Sequence, residues 1–162
     1  MLFRTQMRAV LRAAVHGSIK LMFPMVASLS EYRQSLIHLE TAKRQLTERG
    51  EAFGDIEVGC MIEIPSAALT VASLLKTADF VSIGTNDLIQ YTLSVDRNDD
   101  SVNYLYQPAH PAIIKLLTHI IRTANRMGKP VSVCGEMAGD TRFTRLLLGM
   151  GLRTFSMKTA NL

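Results

Sequence analysis

The sequence predicts an α/β fold of parallel βαβ units, and three observations carry that prediction. Five short apolar segments (19–26, 56–63, 79–87, 130–135 and 153–157) alternate with segments of helical period. The apolar segments lack polar alternation, as strands covered on both faces do. Polar residues gather instead at their ends: Glu63, Thr85-Asn86-Asp87, Cys134-Gly135-Glu136 and Ser156 all follow predicted strands. An open doubly wound sheet and part of a barrel both fit, and both build their sites on that side of the sheet.

The elements follow in chain order. MLFRTQMRAVLRAAVHG reads as an amphipathic helix closed by Gly17, with Arg4, Arg8 and Arg12 forming a solvated face opposite Phe3, Met7, Val10 and Leu11. The run IKLMFPMV (19–26) is a buried strand with Pro24 near its end. Ser28 or Ser30 caps the next helix, which has Glu31 in its first turn, repeats Leu36, Leu39 and Leu46 on one face and stops at Gly50. IEVGCMIE (56–63) is the second strand and SAALTVASLLKTA the helix behind it. DFVSIGTND (79–87) is a third strand running into a turn, with a helix starting at Asp87. HPAIIKLLTHIIRTANRMGK (110–129) is a strongly periodic helix, and PVSVCG (130–135) is the fourth strand. A helix capped by Asp140 and a fifth strand, RTFSM (153–157), complete the pattern. No repeat, low-complexity segment or linker divides residues 1–162, so one domain is expected.

Composition narrows the function classes. The chain has 162 residues, 48% of them hydrophobic, and 18 Lys+Arg against 14 Asp+Glu give a net charge of +4. That length can bury a core but falls short of the ~250 residues usual for a complete eight-stranded α/β barrel. No apolar run approaches the ~20 residues of a membrane span, and the charges are interspersed, so neither a membrane nor a nucleic acid is the expected partner. The two cysteines, Cys60 and Cys134, are far apart with no CxxC and no secretory signal, which points to a reducing, cytoplasmic setting.

The strand-end residues suggest chemistry, each beside a plainer reading. Glu63 and Asp87 end consecutive strands, so their carboxylates should converge as a hard-oxygen site suited to Mg²⁺; the same positions also suit helix capping. Asn86 sits in a tight turn whose following helix exposes N–H groups to an anion. Arg97, in the loop DRNDD, reads either as a solvated ion pair or, if phosphate binds at the helix start, as its bidentate partner. Cys134 should face the same mouth, as an inert core thiol or as a general acid or base. Cys60 reads as core, His110 as a turn residue before Pro111, and His16, His38 and His119 as helix residues without an evident partner.

Six segments bring a family into view: MFPM (22–25), GCMIEIPSAA (59–68), FVSIGTNDLIQYTLSVDRND (80–99), LYQPAHPA (105–112), VCGEMAGD (133–140) and LLLGMGLRTFSM (146–157). In this order they resemble the phosphoenolpyruvate-binding barrel of enzyme I, the phosphoenolpyruvate-protein phosphotransferases of bacterial sugar phosphotransferase systems. The resemblance runs from about residue 3 to the end. It implies the C-terminal five βα units of an eight-stranded barrel, truncated at both ends, within a dimeric cytoplasmic transferase.

The resemblance also assigns roles. Glu63 and Asp87 would hold Mg²⁺, Asn86 and Arg97 would contact the phosphoryl group, and Cys134 would protonate the enolate on its way to pyruvate. The phosphoryl-accepting histidine belongs to a separate domain in that family, and none of the four histidines here lies in a matching motif. Arginines from the earlier strands are likewise absent, and Ile89 stands where the family usually has Thr. Expected partners are phosphoenolpyruvate or pyruvate, a phosphohistidine domain, a phosphocarrier protein and a second copy of the chain. A pyruvate phosphate dikinase or phosphoenolpyruvate synthase shares the Glu, Asn-Asp and Cys-Gly pattern, but YTLSVDRND followed by LYQPAHPA favours enzyme I. The alternative of another class is a non-catalytic dimerisation or scaffold remnant.

Overall fold

The computed structural model describes residues 2–161. Helix α1 (Leu2–Ala13) precedes strand β1 (Lys20–Phe23), followed by α2 (Leu29–Glu48), β2 (Glu57–Ile62), α3 (Pro65–Leu69), α4 (Val71–Leu75) and β3 (Val81–Gly84). Then come α5 (Thr85–Leu93), α6 (Pro111–Arg126), β4 (Val131–Cys134), α7 (Glu136–Gly139), α8 (Thr141–Met150) and β5 (Thr154–Phe155). Two short 3₁₀ turns lie at Asn103–Leu105 and Thr159–Asn161.

The five strands form one parallel sheet in the order β1-β2-β3-β4-β5. Each strand pairs with its successor and the order never reverses. A doubly wound sheet needs such a reversal to place helices on both faces. Sequential order with crossovers of one hand instead keeps the helices on one side and curls the sheet, so this is the wall of a barrel.

The core lies between that wall and its helices. Ile62, Val81, Ile83 and Val133 from the strands are buried with Leu39, Leu46, Leu88, Ile113, Leu117, Ile120, Ile121 and Leu147 from the helices. Burial of such side chains contributes about 1.5–3 kcal/mol each before ordering costs are counted. Tyr32 is fully buried with them and donates its hydroxyl to the Val58 carbonyl at 2.9 Å, so its polar tip is satisfied.

Local signals act as the sequence predicts at several ends. Ser28 caps α2, accepting from the Glu31 N–H, and Asp140 caps α8, accepting from the Arg142 N–H. His110 caps α6 by accepting from the Ala112 N–H. Gly50, at positive φ, closes α2 as predicted, whereas α6 stops at Arg126, short of the expected residue 129, with Gly128 at positive φ just beyond it.

Four expectations are corrected. The helix expected over residues 66–78 is two short helices broken at Thr70, whose hydroxyl bonds back to the Ser66 carbonyl at 2.8 Å and competes with the backbone ladder. α5 starts at Thr85, two residues before Asp87, because Gly84 rather than a capping side chain turns the chain. The arginines of α1 are not a free solvated face: Arg4 meets His38 at 3.3 Å, Arg8 donates to Gln45 at 2.6 Å and Arg12 pairs with Glu51 at 3.1 Å. His38 therefore has a partner, and Phe3 also meets its ring edge-on. Among the described residues, no helix is long and apolar enough to cross a membrane.

Candidate active site at the carboxyl ends of the strands

Parallel register brings the singled-out residues into one row. Ile62 pairs with Ile83, and Gly84 with Cys134, so Glu63, Gly84 and Cys134 sit side by side where three strands end. Glu63 is 3% exposed, and its Oε1 accepts the Met25 N–H at 2.6 Å. Met25 is at φ 55, a left-handed conformation at the end of the MFPM turn that aims its N–H at the carboxylate. The carboxylate fits only because residue 84 is glycine: a Cβ there would lie 2.7 Å from Glu63 Oε2.

The carboxyl group of Asp87 lies near that of Glu63 and acts on it. Burial, followed by the charge and hydrogen bond of Asp87, pushes the Glu63 carboxyl above its ordinary value, while the Met25 N–H pulls the other way. Two neighbouring carboxylates, one of them buried, repel each other unless a proton or a cation lowers their charge. Among the described residues, no group of three or more His, Cys, Asp or Glu side chains is placed to hold a metal ion by itself. Mg²⁺ fits this donor set, because it takes one or two protein carboxylates and fills its other positions with water and substrate oxygens.

The two turns beyond β3 and β4 are locked together. Thr85 Oγ1 donates to the Cys134 carbonyl at 2.8 Å, and the Glu136 N–H donates to Asn86 Oδ1 at 2.9 Å. A backbone N–H can only donate, so the amide oxygen of Asn86 must face Glu136. The NH₂ group is then left for an acceptor in the cleft that Asn86 lines. Tyr106 donates its hydroxyl to the Asn86 carbonyl at 3.4 Å. Burial, then the nearby Glu136 charge, raises the Tyr106 phenol to about 12 although Arg97 opposes the shift.

Cys134 is half-buried, with its thiol 3.5 Å from the Ile83 carbonyl. Burial raises its pKa first, with the Glu63 and Asp87 charges adding and a Ser82 hydrogen bond opposing, so at neutral pH it is a thiol with a proton to give. Cys60 is fully buried and raised to about 12, as a core residue should be.

Arg97 is not tied up by the aspartates beside it. Asp96 accepts from the Asn98 N–H and Asp99 from Ser101, while Arg97 meets Glu136 at 3.7 Å. Asn86, Arg97, Cys134 and Glu136 line a cleft of about 910 Å³ that Ser156 and Lys158 also border. Glu63 and Asp87 are not in its lining but act on Cys134 through their charges. A separate cavity of about 570 Å³, around His119 and Arg122 on α6, contains none of the strand-end residues.

The structure thus groups Asn86, Arg97 and Cys134 around one cleft and Glu63 with Asp87 beside it. Sequence reasoning missed the Met25 N–H, the Tyr106 hydroxyl and the Glu136–Arg97 pair. Glu136 had a signal, since it follows a strand-ending Cys-Gly; Met25 and Tyr106 lie in the MFPM and LYQPAHPA segments, but nothing in those segments pointed to these bonds.

A family model described as PEP-utilising enzyme, PEP-binding domain, matches residues 1–162. A phosphoenolpyruvate-protein phosphotransferase of Cupriavidus necator is 57% identical over 162 residues, covering 99% of this chain and 28% of that protein. Proteins of the same name from Enterococcus faecalis and Bacillus subtilis are 51% and 49% identical with the same coverage. The chain therefore spans little more than a quarter of the length of these relatives. Among solved structures, a citrate lyase from Burkholderia xenovorans superposes with a TM-score of 0.70 at 21% identity, over 98% of this chain and 51% of that one. An HpcH/HpaI aldolase from Desulfitobacterium hafniense gives 0.59 at 17% identity, over 94% and 63%. These two likenesses show the fold alone. The row of strand-end residues thus sits in a chain that belongs to the PEP-binding domain family of PEP-utilising enzymes.

Proposed function

We propose that this chain is the phosphoenolpyruvate- and Mg²⁺-binding part of a phosphoenolpyruvate-protein phosphotransferase, enzyme I of a bacterial sugar phosphotransferase system. The observation that carries the reading is the buried Glu63 carboxyl, with Asp87 near it, beside a cleft that holds Asn86, Arg97 and Cys134. Glu63 and Asp87 would hold Mg²⁺, which would supply positive charge to the oxygens of the substrate. The Arg97 guanidinium and the Asn86 NH₂ bind and orient the phosphoryl group. As the phosphorus bonds to a histidine nitrogen from outside this chain, its bond to the enol oxygen breaks and the electron pair stays on the enolate. Cys134 then gives its thiol proton to the methylene carbon, forming pyruvate.

The accepting histidine, the phosphocarrier protein that receives the group next and the remaining phosphate-binding arginines lie outside these residues in this reading. The barrel pairs with a second copy in a cytoplasmic homodimer, without membrane or nucleic acid. The names of the relatives favour enzyme I over a pyruvate phosphate dikinase or phosphoenolpyruvate synthase.

Thermal unfolding of the chain with Mg²⁺, with and without oxalate and then phosphoenolpyruvate, tests the reading. A compound that binds only the folded state at ~100 times its Kd adds about 2.7 kcal/mol. The expected result is a Mg²⁺-dependent rise that Asp87→Ala abolishes. A transition indifferent to both compounds would favour a structural or dimerisation module instead.

A further inference from the structure

We propose that Glu136 is a built-in counter-anion for Arg97, displaced when a phosphoryl group enters, and that it tunes the cleft against phosphorylated compounds. The inference rests on the reading of Arg97 as a phosphoryl contact. Three features support it. The pairing is selective: Arg97 lies between aspartates that bond to their own loop, yet it reaches across the cleft to Glu136 at 3.7 Å. The backbone of Glu136 is anchored by its N–H bond to Asn86 Oδ1, directly after Gly135 at φ 89. The carboxylate, by contrast, is free to leave, because its side chain is 76% exposed against 35% for Arg97.

A single exposed carboxylate at this distance is a weak partner. A phosphoryl group offers a guanidinium two parallel charge-assisted hydrogen bonds, so it wins the exchange. Until it does, Glu136 keeps the Arg97 guanidinium engaged over the cleft. Oxalate has no phosphoryl group and leaves the pair intact. Glu136 therefore weakens phosphoenolpyruvate binding without affecting oxalate, which narrows the affinity gap between a substrate and an unphosphorylated enolate analogue.

Calorimetric titration of the chain with phosphoenolpyruvate and with oxalate, both in Mg²⁺, tests this through Glu136→Gln. That substitution keeps the anchoring N–H and removes the charge. Phosphoenolpyruvate should bind about three- to fivefold more tightly, as expected for losing an exposed ion pair. Oxalate affinity should stay the same, and in an Arg97→Ala background the gain should vanish. In the absence of any small molecule, NMR should show faster rotation about the Arg97 Nε–Cζ bond in Glu136→Gln. Unchanged or weaker phosphoenolpyruvate binding in the variant, an equal gain for oxalate, or unchanged Arg97 rotation would each overturn the inference, while Mg²⁺-oxalate binding by the unsubstituted chain would leave the functional reading standing. Failure of that chain to bind either compound would remove the functional reading and this inference together.

Discussion

Replacing Gly135 by alanine should damage the fold through two separable effects. Its backbone is at φ 89, ψ −170, a region only glycine occupies readily, and forcing another residue there costs about 1–3 kcal/mol. The new Cβ would also lie 2.5 Å from Thr85 Oγ1 and 2.8 Å from Asn86 Oδ1. Neither atom can retreat freely, since the first is bonded to the Cys134 carbonyl and the second to the Glu136 N–H. Overpacking of this kind costs a further ~1–3 kcal/mol. Gly128 is the natural control, being at φ 64 with nothing within 4 Å of an added Cβ, so Gly128→Ala carries only the left-handed cost of about 1–2 kcal/mol. Equilibrium urea unfolding of the two variants should therefore place Gly135→Ala below Gly128→Ala by about 1–4 kcal/mol. Equal losses would refute the idea that the turns after β3 and β4 are locked against each other.

Other expectations are simpler. Without divalent cations, the native state keeps the Glu63 proton after the unfolded chain has released it, because the folded carboxyl is raised above its ordinary 4.5. Stability should then fall as pH rises from about that value to the raised one, by at most ~1.4 kcal/mol per pH unit, and level off above it. Urea midpoints from pH 4 to 8 should show this slope, and Glu63→Gln should flatten it. An aromatic disulfide reagent at pH 7.5 should label Cys134 slowly and Cys60 only on unfolding, since burial raises both thiols and Cys60 is 0% exposed; two fast equivalents from native protein would contradict this. Leu117→Ala should cost about 2–5 kcal/mol by urea titration, while Leu69→Ala stays within ~0.5. The contrast follows from exposures of 0% and 67%.

How far the sequence could be read depended on the range of the interaction. Ser28 and Asp140 cap helices within three residues of themselves, so their roles show in the local pattern. Glu63 and Cys134 could be placed because a polar residue ending an apolar run has only the strand end to occupy. The pattern of strands and helices alone left barrel wall and doubly wound sheet open, because strand order is a property of pairing between distant segments; the family resemblance chose the barrel, and the strand order bears it out. The same holds for the Met25 N–H on Glu63, 38 residues away, and for the Asn86–Glu136 bond across 50 residues. On α1, periodicity showed which side the arginines share but not that α2 presents His38 and Gln45 to them.

These long-range bonds also explain why the site is built as it is. A fold selected for stability alone would not bury Glu63 to 3% exposure against a second carboxyl group, nor give up a side chain at residue 84 to admit it. Unpaired buried charge is among the more expensive features a core can hold. The structure offsets part of that cost with the Met25 N–H and leaves the rest, a raised carboxyl that a cation would relieve. Around it, glycines at 84 and 135 admit close contacts, Thr85 ties the two turns together through the Cys134 carbonyl, and the Glu136 N–H holds the Asn86 amide in one orientation. Rigidity is spent on the groups that must not move, and exposure is kept for the one pair, Arg97 and Glu136, that must exchange partners when an anion arrives.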